Sequence, residues 1–170
     1  MGDTAMTTLG NAQLYRSINT NPEAVQHAIN GVTQNGFDSA VNFSMKHEGG
    51  YSPADSNGAE VNFGINKEYN PNVDIKNLTR QGAKDIYRTN YWDAVKGDEI
   101  AAKNPVLATA VFDTAVNSGP DTAKDLLKKS GGDVSKFLDL RQEYLNNLVE
   151  KNPQKYSKYQ GAWNKRIGEL

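Results

Sequence analysis

The chain contains no cysteine and only two histidines, His27 and His47. Without thiols it has neither a disulfide framework nor a thiolate metal site, and two histidines make a zinc site only with help from carboxylates. The segment HEGGY at 47–51 approaches the zinc-protease pattern H-E-x-x-H, but Tyr51 stands where the second histidine belongs. No metal and no cofactor is therefore expected. Long apolar runs are missing too, none reaching the roughly 18 residues a membrane span needs, so no membrane insertion is expected. The first residues lack the basic segment and apolar core of a secretory signal, and Met6 breaks the N-myristoylation pattern. Action outside the cytoplasm is expected to depend on another agent for delivery.

A charge of one sign is also lacking. Nineteen basic and 20 acidic residues leave a net charge of −1, which disfavours nucleic acid as the partner. Residues 1–75 carry eight acids and three bases (−5), and residues 76–170 carry twelve and sixteen (+4). Solvated faces of surface helices explain the basic half. The sharper reading is weak attraction to an anionic polymer or envelope surface. The length of 170 residues suits one domain, and a chain of that size buries about 70% of the surface its unfolded form exposes.

Residues 1–20, rich in Thr, Asn, Gly and Ala, show no period and read as a loosely ordered arm. A short helix is expected after them, with Asn21 as cap, Pro22 in the first turn and Gly31 as terminator. A second helix is expected over 37–48, with Phe37, Ala40, Val41 and Met45 on one stripe. The turn-rich SPADSNGAE then leads to VNFGIN, where Val61, Phe63 and Ile65 alternate as in a strand of a small hairpin or sheet. Thr79 caps a helix with Ala83, Ile86, Tyr87, Asn90 and Tyr91 on one face. NPVLATAVFDTAVNSGP, capped by Asn104 and Pro105 and closed by Gly119, is apolar around much of its girth and is expected to run through the core. Thr109, Asp113 and Asn117 form its polar stripe, which must find partners if buried. Further helices are expected over 120–130 and 133–151, with a last turn around Trp163.

Glu48 is the residue out of place. It follows Phe37 by 11 positions, within about 20° of it around a helix axis, so a carboxylate ends an apolar stripe. Desolvation and the negative end of the helix dipole both favour the protonated acid, the form a general acid needs to protonate a glycosidic oxygen. Gly49, expected in the left-handed conformation, and Gly50 leave room for a bulky polymer. The plain alternative is a helix end reaching water, or one paired with an arginine such as Arg141. Asp55 and Glu60, in and after the loop, are the other carboxylates at hand, although Asp in such a loop is ordinary turn chemistry. Tyr51, Tyr87, Tyr91 and Trp92 are able to line a sugar cleft, or simply to fill the core.

These segments carry a family resemblance. HEGGYSPADSNGAEVNFGI is similar to the signature of glycoside hydrolase family 108, the phage-type N-acetylmuramidases, in which E-G-G-Y and a P-A-D loop precede T-N-Y-G-I. AKDIYRTNYWDAV, VFDTAVNSGP and the closing YQGAWNKRI resemble further family blocks in order and spacing, so that the likeness spans about residues 37–167. Two departures stand out. The loop is about two residues shorter and lacks one of its paired glycines, and Val61 occupies the place of the family threonine, so another group must position any attacking water. The segment KKSGGDVSKF abbreviates a peptidoglycan-binding region common in the family.

The resemblance implies a mainly α (α+β) lysozyme-like fold with a small β-hairpin beside the cleft. It also implies cleavage of the MurNAc–GlcNAc β-1,4 bond of peptidoglycan glycan strands. Residues 37–170 are expected to form the muramidase domain, and residues 1–36 an arm able to attach to virion or tail proteins. Glu48 is the expected general acid, with Asp55 or Glu60 as second carboxylate. Tyr51, Asn62, Tyr91, Trp92, Asp113 and Asn117 are the expected support or substrate contacts. Such an enzyme would wait in the host cytoplasm for holin-type release, or travel in a virion, and act in the periplasm. The alternative is a non-catalytic wall-binding or virion structural module. An amidase or peptidase would need zinc or a Cys/His nucleophile, for which the chain has no set.

Overall fold

The structure, a computed structural model, describes residues 22–46, 48–54 and 58–170, with the side chains of 22–30, 32 and 33 left aside. The arm expected over 1–20 lies outside the described residues. One unbroken helix, α1, runs over Pro22–Lys46, where two helices separated near Gly31 were expected. The reason lies partly in Gly36, where a β-carbon would stand 2.8 Å from that of Ala101. A glycine within a helix costs about 1 kcal/mol relative to alanine, and here it lets α1 lie close against the Ala101 segment. The expected division between residues 36 and 37 therefore falls inside a helix and is no element boundary. Phe37, Ala40, Val41, Ser44 and Met45 form the buried stripe of α1.

The hairpin comprises β1 (Val61–Asn62) and β2 (Ile65–Asn66), antiparallel, with Val61 opposite Asn66 and Asn62 opposite Ile65. Phe63 and Gly64, both at positive φ (50° and 78°), make the two-residue turn. The alternation of Val61, Phe63 and Ile65 thus spans a turn rather than one strand. Ser52 adds a bridge to Val61 on the other side.

Helix α2 (Arg80–Tyr87) starts at Thr79, whose hydroxyl accepts from the Gly82 amide. A π-helical turn over Arg88–Trp92 follows. Its extra residue per turn shifts the pattern, so that Asn90, expected on the buried face, is exposed while Trp92 is fully buried. Next come a 3₁₀ turn (Asp93–Val95) and α3 (Gly97–Ala101).

The central helix is α4 (Pro105–Ser118), capped by the Asn104 side chain, which accepts from the Leu107 amide. It faces two cores. Ala108 and Phe112 join Phe37, Tyr87 and Trp92 on one side, and Leu107, Val111 and Ala115 join Leu126 and Phe137 on the other. Phe112 meets Phe37 and Trp92 edge-on at centroid distances of 6.1 and 5.7 Å. Around it pack α5 (Pro120–Ser130) and α6 (Val134–Lys151), followed by α7 (Pro153–Tyr156) and α8 (Gln160–Gly168). Among the described residues the fold is mainly α with one small antiparallel hairpin, the class expected from the sequence.

Candidate active site

Helix α1 stops at Lys46, and Glu48 hangs two residues beyond it, its amide donating to the Met45 carbonyl at 3.3 Å. Glu48 was expected to be the last residue of that helix, with a left-handed Gly49 behind it. Gly49 does not take positive φ, and β-carbons at Gly49 or Gly50 would meet open space. The glycine pressed against the acid is Gly64 of the hairpin turn, whose added β-carbon would stand 2.7 Å from Glu48 Cγ and would also collide with the Tyr87 hydroxyl. Tyr87 secures that turn by donating to the Phe63 carbonyl at 2.9 Å. Burial first, and then the negative charge of Glu48, push the Tyr87 hydroxyl pKa well up, so it acts as a fixed donor.

The Glu48 side chain is 25% exposed, and its cation is Arg166, whose Nη1 donates to Oε1 at 3.3 Å. The sequence had suggested Arg141 as a partner. Arg141 instead donates to Asp113 Oδ2 at 2.8 Å in full burial. Asp113 also accepts from Ser44 Oγ at 2.7 Å and from Arg166 Nη2 at 2.7 Å and Nε at 3.0 Å. One carboxylate thus ties α1, α4, α6 and α8 together, and Arg166 joins that knot to Glu48. Burial alone would raise the Asp113 pKa. The Arg166 bonds, the charges of Arg141 and Arg166 and the Ser44 bond outweigh it and hold the carboxyl below the usual range.

The polar stripe of α4 therefore divides. Thr109 bonds back to the Pro105 carbonyl at 3.0 Å, Asp113 is buried in the knot, and Asn117 is exposed. Asp113 and Trp92, expected among the substrate contacts, have no exposed surface. Both serve by holding the frame, Trp92 with its indole N–H donating to Asp98 at 2.8 Å. Asn62 is likewise buried, its amide donating to the Ile75 and Leu78 carbonyls at 3.1 and 3.3 Å and so fastening the hairpin to the loop before α2. Tyr51 is exposed and donates to Glu60 at 3.0 Å; its own hydroxyl pKa is raised by partial desolvation and then by Glu60. Tyr91 is half-buried, and burial first, then the charge of Glu48, raise its hydroxyl pKa. Asp55 and His47 lie outside the described residues.

Sequence reasoning missed Arg166, Ser44 and Gly64 as parts of the site. A signal existed for two of them: Arg166 closes the block YQGAWNKRI, and Gly64 sits in VNFGIN. Among the described residues, no group of three or more His, Asp or Glu side chains is placed to hold a metal ion.

A glutamate just past a helix end, set over a small hairpin and backed by an arginine–aspartate pair in a mainly α frame, is an arrangement able to carry acid-catalysed hydrolysis of a glycan. The comparisons agree: the family model Glycosyl hydrolase 108 matches residues 41–119, and this segment belongs to glycoside hydrolase family 108. The chain is accordingly a glycosidase that acts on peptidoglycan. No curated protein and no solved structure matches it. The matched segment holds Glu48, the hairpin, Tyr87, Tyr91 and Asp113, whereas Arg141 and Arg166 come from beyond it.

Proposed function

We propose that the chain is an N-acetylmuramidase of the phage lysin type, cleaving the β-1,4 bond between MurNAc and GlcNAc with Glu48 as general acid. The observation that carries this reading is the Glu48 carboxyl, partly exposed over Gly64 and engaged at one oxygen by Arg166. The proton passes from Glu48 to the glycosidic oxygen as its bond to the anomeric carbon breaks, and the leaving sugar keeps that proton. Water adds to the anomeric carbon and gives up a proton to a base, with Glu60 and Asp55 as the candidates. Arg166 Nη1, 3.3 Å from Oε1, is the partner of the carboxylate left on Glu48.

Val61 offers no hydroxyl to place the water, and its backbone is committed to Ser52 at 2.8 and 3.0 Å. The water is therefore held by another group of the cleft. Within this proposal the enzyme reaches the wall through a holin-type pore or carried by a virion.

Mass spectrometry of purified peptidoglycan after digestion decides the reaction. New reducing MurNAc ends support the proposal. Reducing GlcNAc ends would make the chain a glucosaminidase, freed stem peptides an amidase, and no products a binding module; each of the three overturns it.

A further inference from the structure

Two shallow depressions of about 310 and 360 Å³ adjoin on the face made by the 3₁₀ turn at 93–95, α3, the start of α4 and α5. Val95, Lys96 and Leu127 line both, so the two form one patch. Its floor is aliphatic, with Ala94, Ile100 and Leu107 completing it. Its rim is basic: Lys96, Lys103, Lys124 and Lys128 stand around the floor, and Glu99 is the one acid in the lining. Lys96 holds that acid at 3.5 Å, and Lys124 meets Asp121, outside the lining, at 3.1 Å. Lys103 and Lys128 have no carboxylate partner among the described residues. In a chain with 20 acids and 19 bases, four lysines against one acid is a local excess. Two other surface grooves carry both signs, with acids at least equal to bases.

Lys96 adds an independent sign. Its backbone is left-handed, at φ 59°, a conformation that glycine or asparagine takes at lower cost. A lysine kept there is kept for its side chain.

The chemistry of the patch narrows its occupant. No aromatic ring lines it, so sugars and nucleic-acid bases find no face to stack on. The one sheet among the described residues is the hairpin at 61–66, so an extended peptide finds no strand edge here. The Asn104 side-chain oxygen in the lining already accepts from the Leu107 amide. A folded partner uses about 20–30 residues a side, far more than line this patch. Aliphatic floor and lysine rim together suit an amphiphile with an anionic head, the pairing by which proteins adsorb to lipid surfaces. Val106, in the first turn of α4 beside this lining, is an exposed apolar side chain of the same kind. The patch also opens from the second core: Val95, Leu107 and Leu127 pack there, whereas Met45 and Tyr87, next to Glu48, pack in the first.

We infer that this face docks on a membrane surface rich in anionic phospholipid. Phosphates meet the lysines, and the upper methylenes of the acyl chains cover Val95, Ile100 and Leu127. The attachment is peripheral, since no helix of the described residues is long and apolar enough to cross a membrane. It does not rest on the reaction assigned to Glu48.

Its test uses the full chain and vesicles of phosphatidylglycerol mixed into phosphatidylcholine. Co-sedimentation with these vesicles, and none with phosphatidylcholine alone, is the expected result. Lys103→Gln combined with Lys128→Gln is expected to weaken it at least about tenfold. Lys151→Gln combined with Lys165→Gln removes the same charge elsewhere and is expected to change it little. All four positions are exposed, and an unchanged melting temperature shows that each variant is folded. Monomeric dihexanoyl-phosphatidylglycerol is expected to shift the methyl resonances of Val95, Ile100 and Leu127, and glycerol phosphate is not. Peptidoglycan hydrolysis by the Lys103/Lys128 variant is expected to stay at the wild-type rate. Absence of vesicle binding, or equal loss in both double variants, overturns the docking face. Equal methyl shifts from glycerol phosphate would reduce it to a phosphate contact and overturn the membrane. Shifts from an acidic amphipathic helical peptide without vesicle binding would assign the face to a protein and overturn it equally. Loss of hydrolysis in parallel with vesicle binding would tie these lysines to the glycan and sink the inference.

Discussion

Gly64 lies against Glu48: a β-carbon on the glycine would stand 2.7 Å from Cγ and 2.9 Å from Cδ of the acid. The place of the carboxyl group is therefore set by the absence of a methyl group on the opposite strand turn. Gly64→Ala meets two obstacles, the contact itself and a φ of +78° that side chains disfavour. Strain and overpacking together are expected to cost about 2–4 kcal/mol, read by thermal or urea unfolding. Activity is expected to fall about 10²-fold, since a displaced acid misses the glycosidic oxygen. Wild-type turnover in a folded Gly64→Ala protein would show that Glu48 does not depend on this seat.

Tyr87→Phe tests the same seat from below. The change leaves the Phe63 carbonyl without its 2.9 Å donor, at a turn whose first residue is a phenylalanine at φ 50°. A loss of about 1 kcal/mol is expected, with a drop in kcat and little change in KM. Unaltered kcat would separate the hydroxyl from the positioning of Glu48.

Arg166→Lys keeps the charge and removes the fork. Three of the arginine nitrogens serve two carboxylates, Nε and Nη2 on Asp113 and Nη1 on Glu48. A lysine ammonium, a point donor, serves one of them well. Because Asp113 is fully buried and Glu48 is not, the lysine is expected to stay with Asp113. Stability then falls moderately, by about 1–3 kcal/mol, while kcat falls at least about tenfold. If kcat is unchanged, the Glu48–Arg166 pair is structural.

Asp113→Asn should act on stability and on its pH dependence together. The substitution removes the anion from two buried arginines, and Arg141 Nε and Nη1 already lack partners among the described residues. Breaking such a pair is expected to cost about 3–5 kcal/mol at neutral pH. The folded-state pKa of Asp113 is lowered, so its contribution is complete above the unfolded value of about 3.9 and disappears as pH falls through the lower folded value. Wild type is thus expected to lose this stability in acid while the variant does not, and the gap between the two unfolding curves closes below about pH 4. A gap independent of pH would mean that Asp113 is not ionised in the fold.

Local chemistry was legible in the sequence, and long-range pairing was not. The Thr79 and Asn104 caps, the run of α4 through the core and the placing of a hairpin near Glu48 all follow from neighbouring residues. Two helices were expected in place of α1 because Gly31 reads as a terminator, whereas the helix runs on through it and Gly36 serves an approach to Ala101 that only the packed state reveals. The π-turn displaced Asn90 for the same reason, since no local period announces an extra residue. Glu48 stood out as a carboxylate on an apolar stripe, yet its partner Arg166 lies 118 positions away. Asp113 was seen to need partners, and its burial among Ser44, Arg141 and Arg166 shows why a polar residue on a core helix is support rather than contact.

Glu48→Gln tests the chemistry most directly. The amide keeps the shape of the side chain and an oxygen able to accept from Arg166 Nη1, so the seat over Gly64 is preserved. It has no proton to transfer. If Glu48 is the general acid, kcat is expected to fall about 10²–10⁴-fold. Stability is expected to change by less than about 1 kcal/mol, because the pair it alters is partly exposed. Glu60→Gln and Asp55→Asn, assayed beside it, identify the base: the one whose loss approaches that of Glu48→Gln shares the reaction, and the other is part of the wall. Glu60→Gln also retains an acceptor for the Tyr51 hydroxyl, so its effect reports on charge rather than on the loop. Near-wild-type cleavage by Glu48→Gln would leave the helix-end carboxylate with a structural part only, and the proton for the leaving sugar would have to come from elsewhere in the cleft.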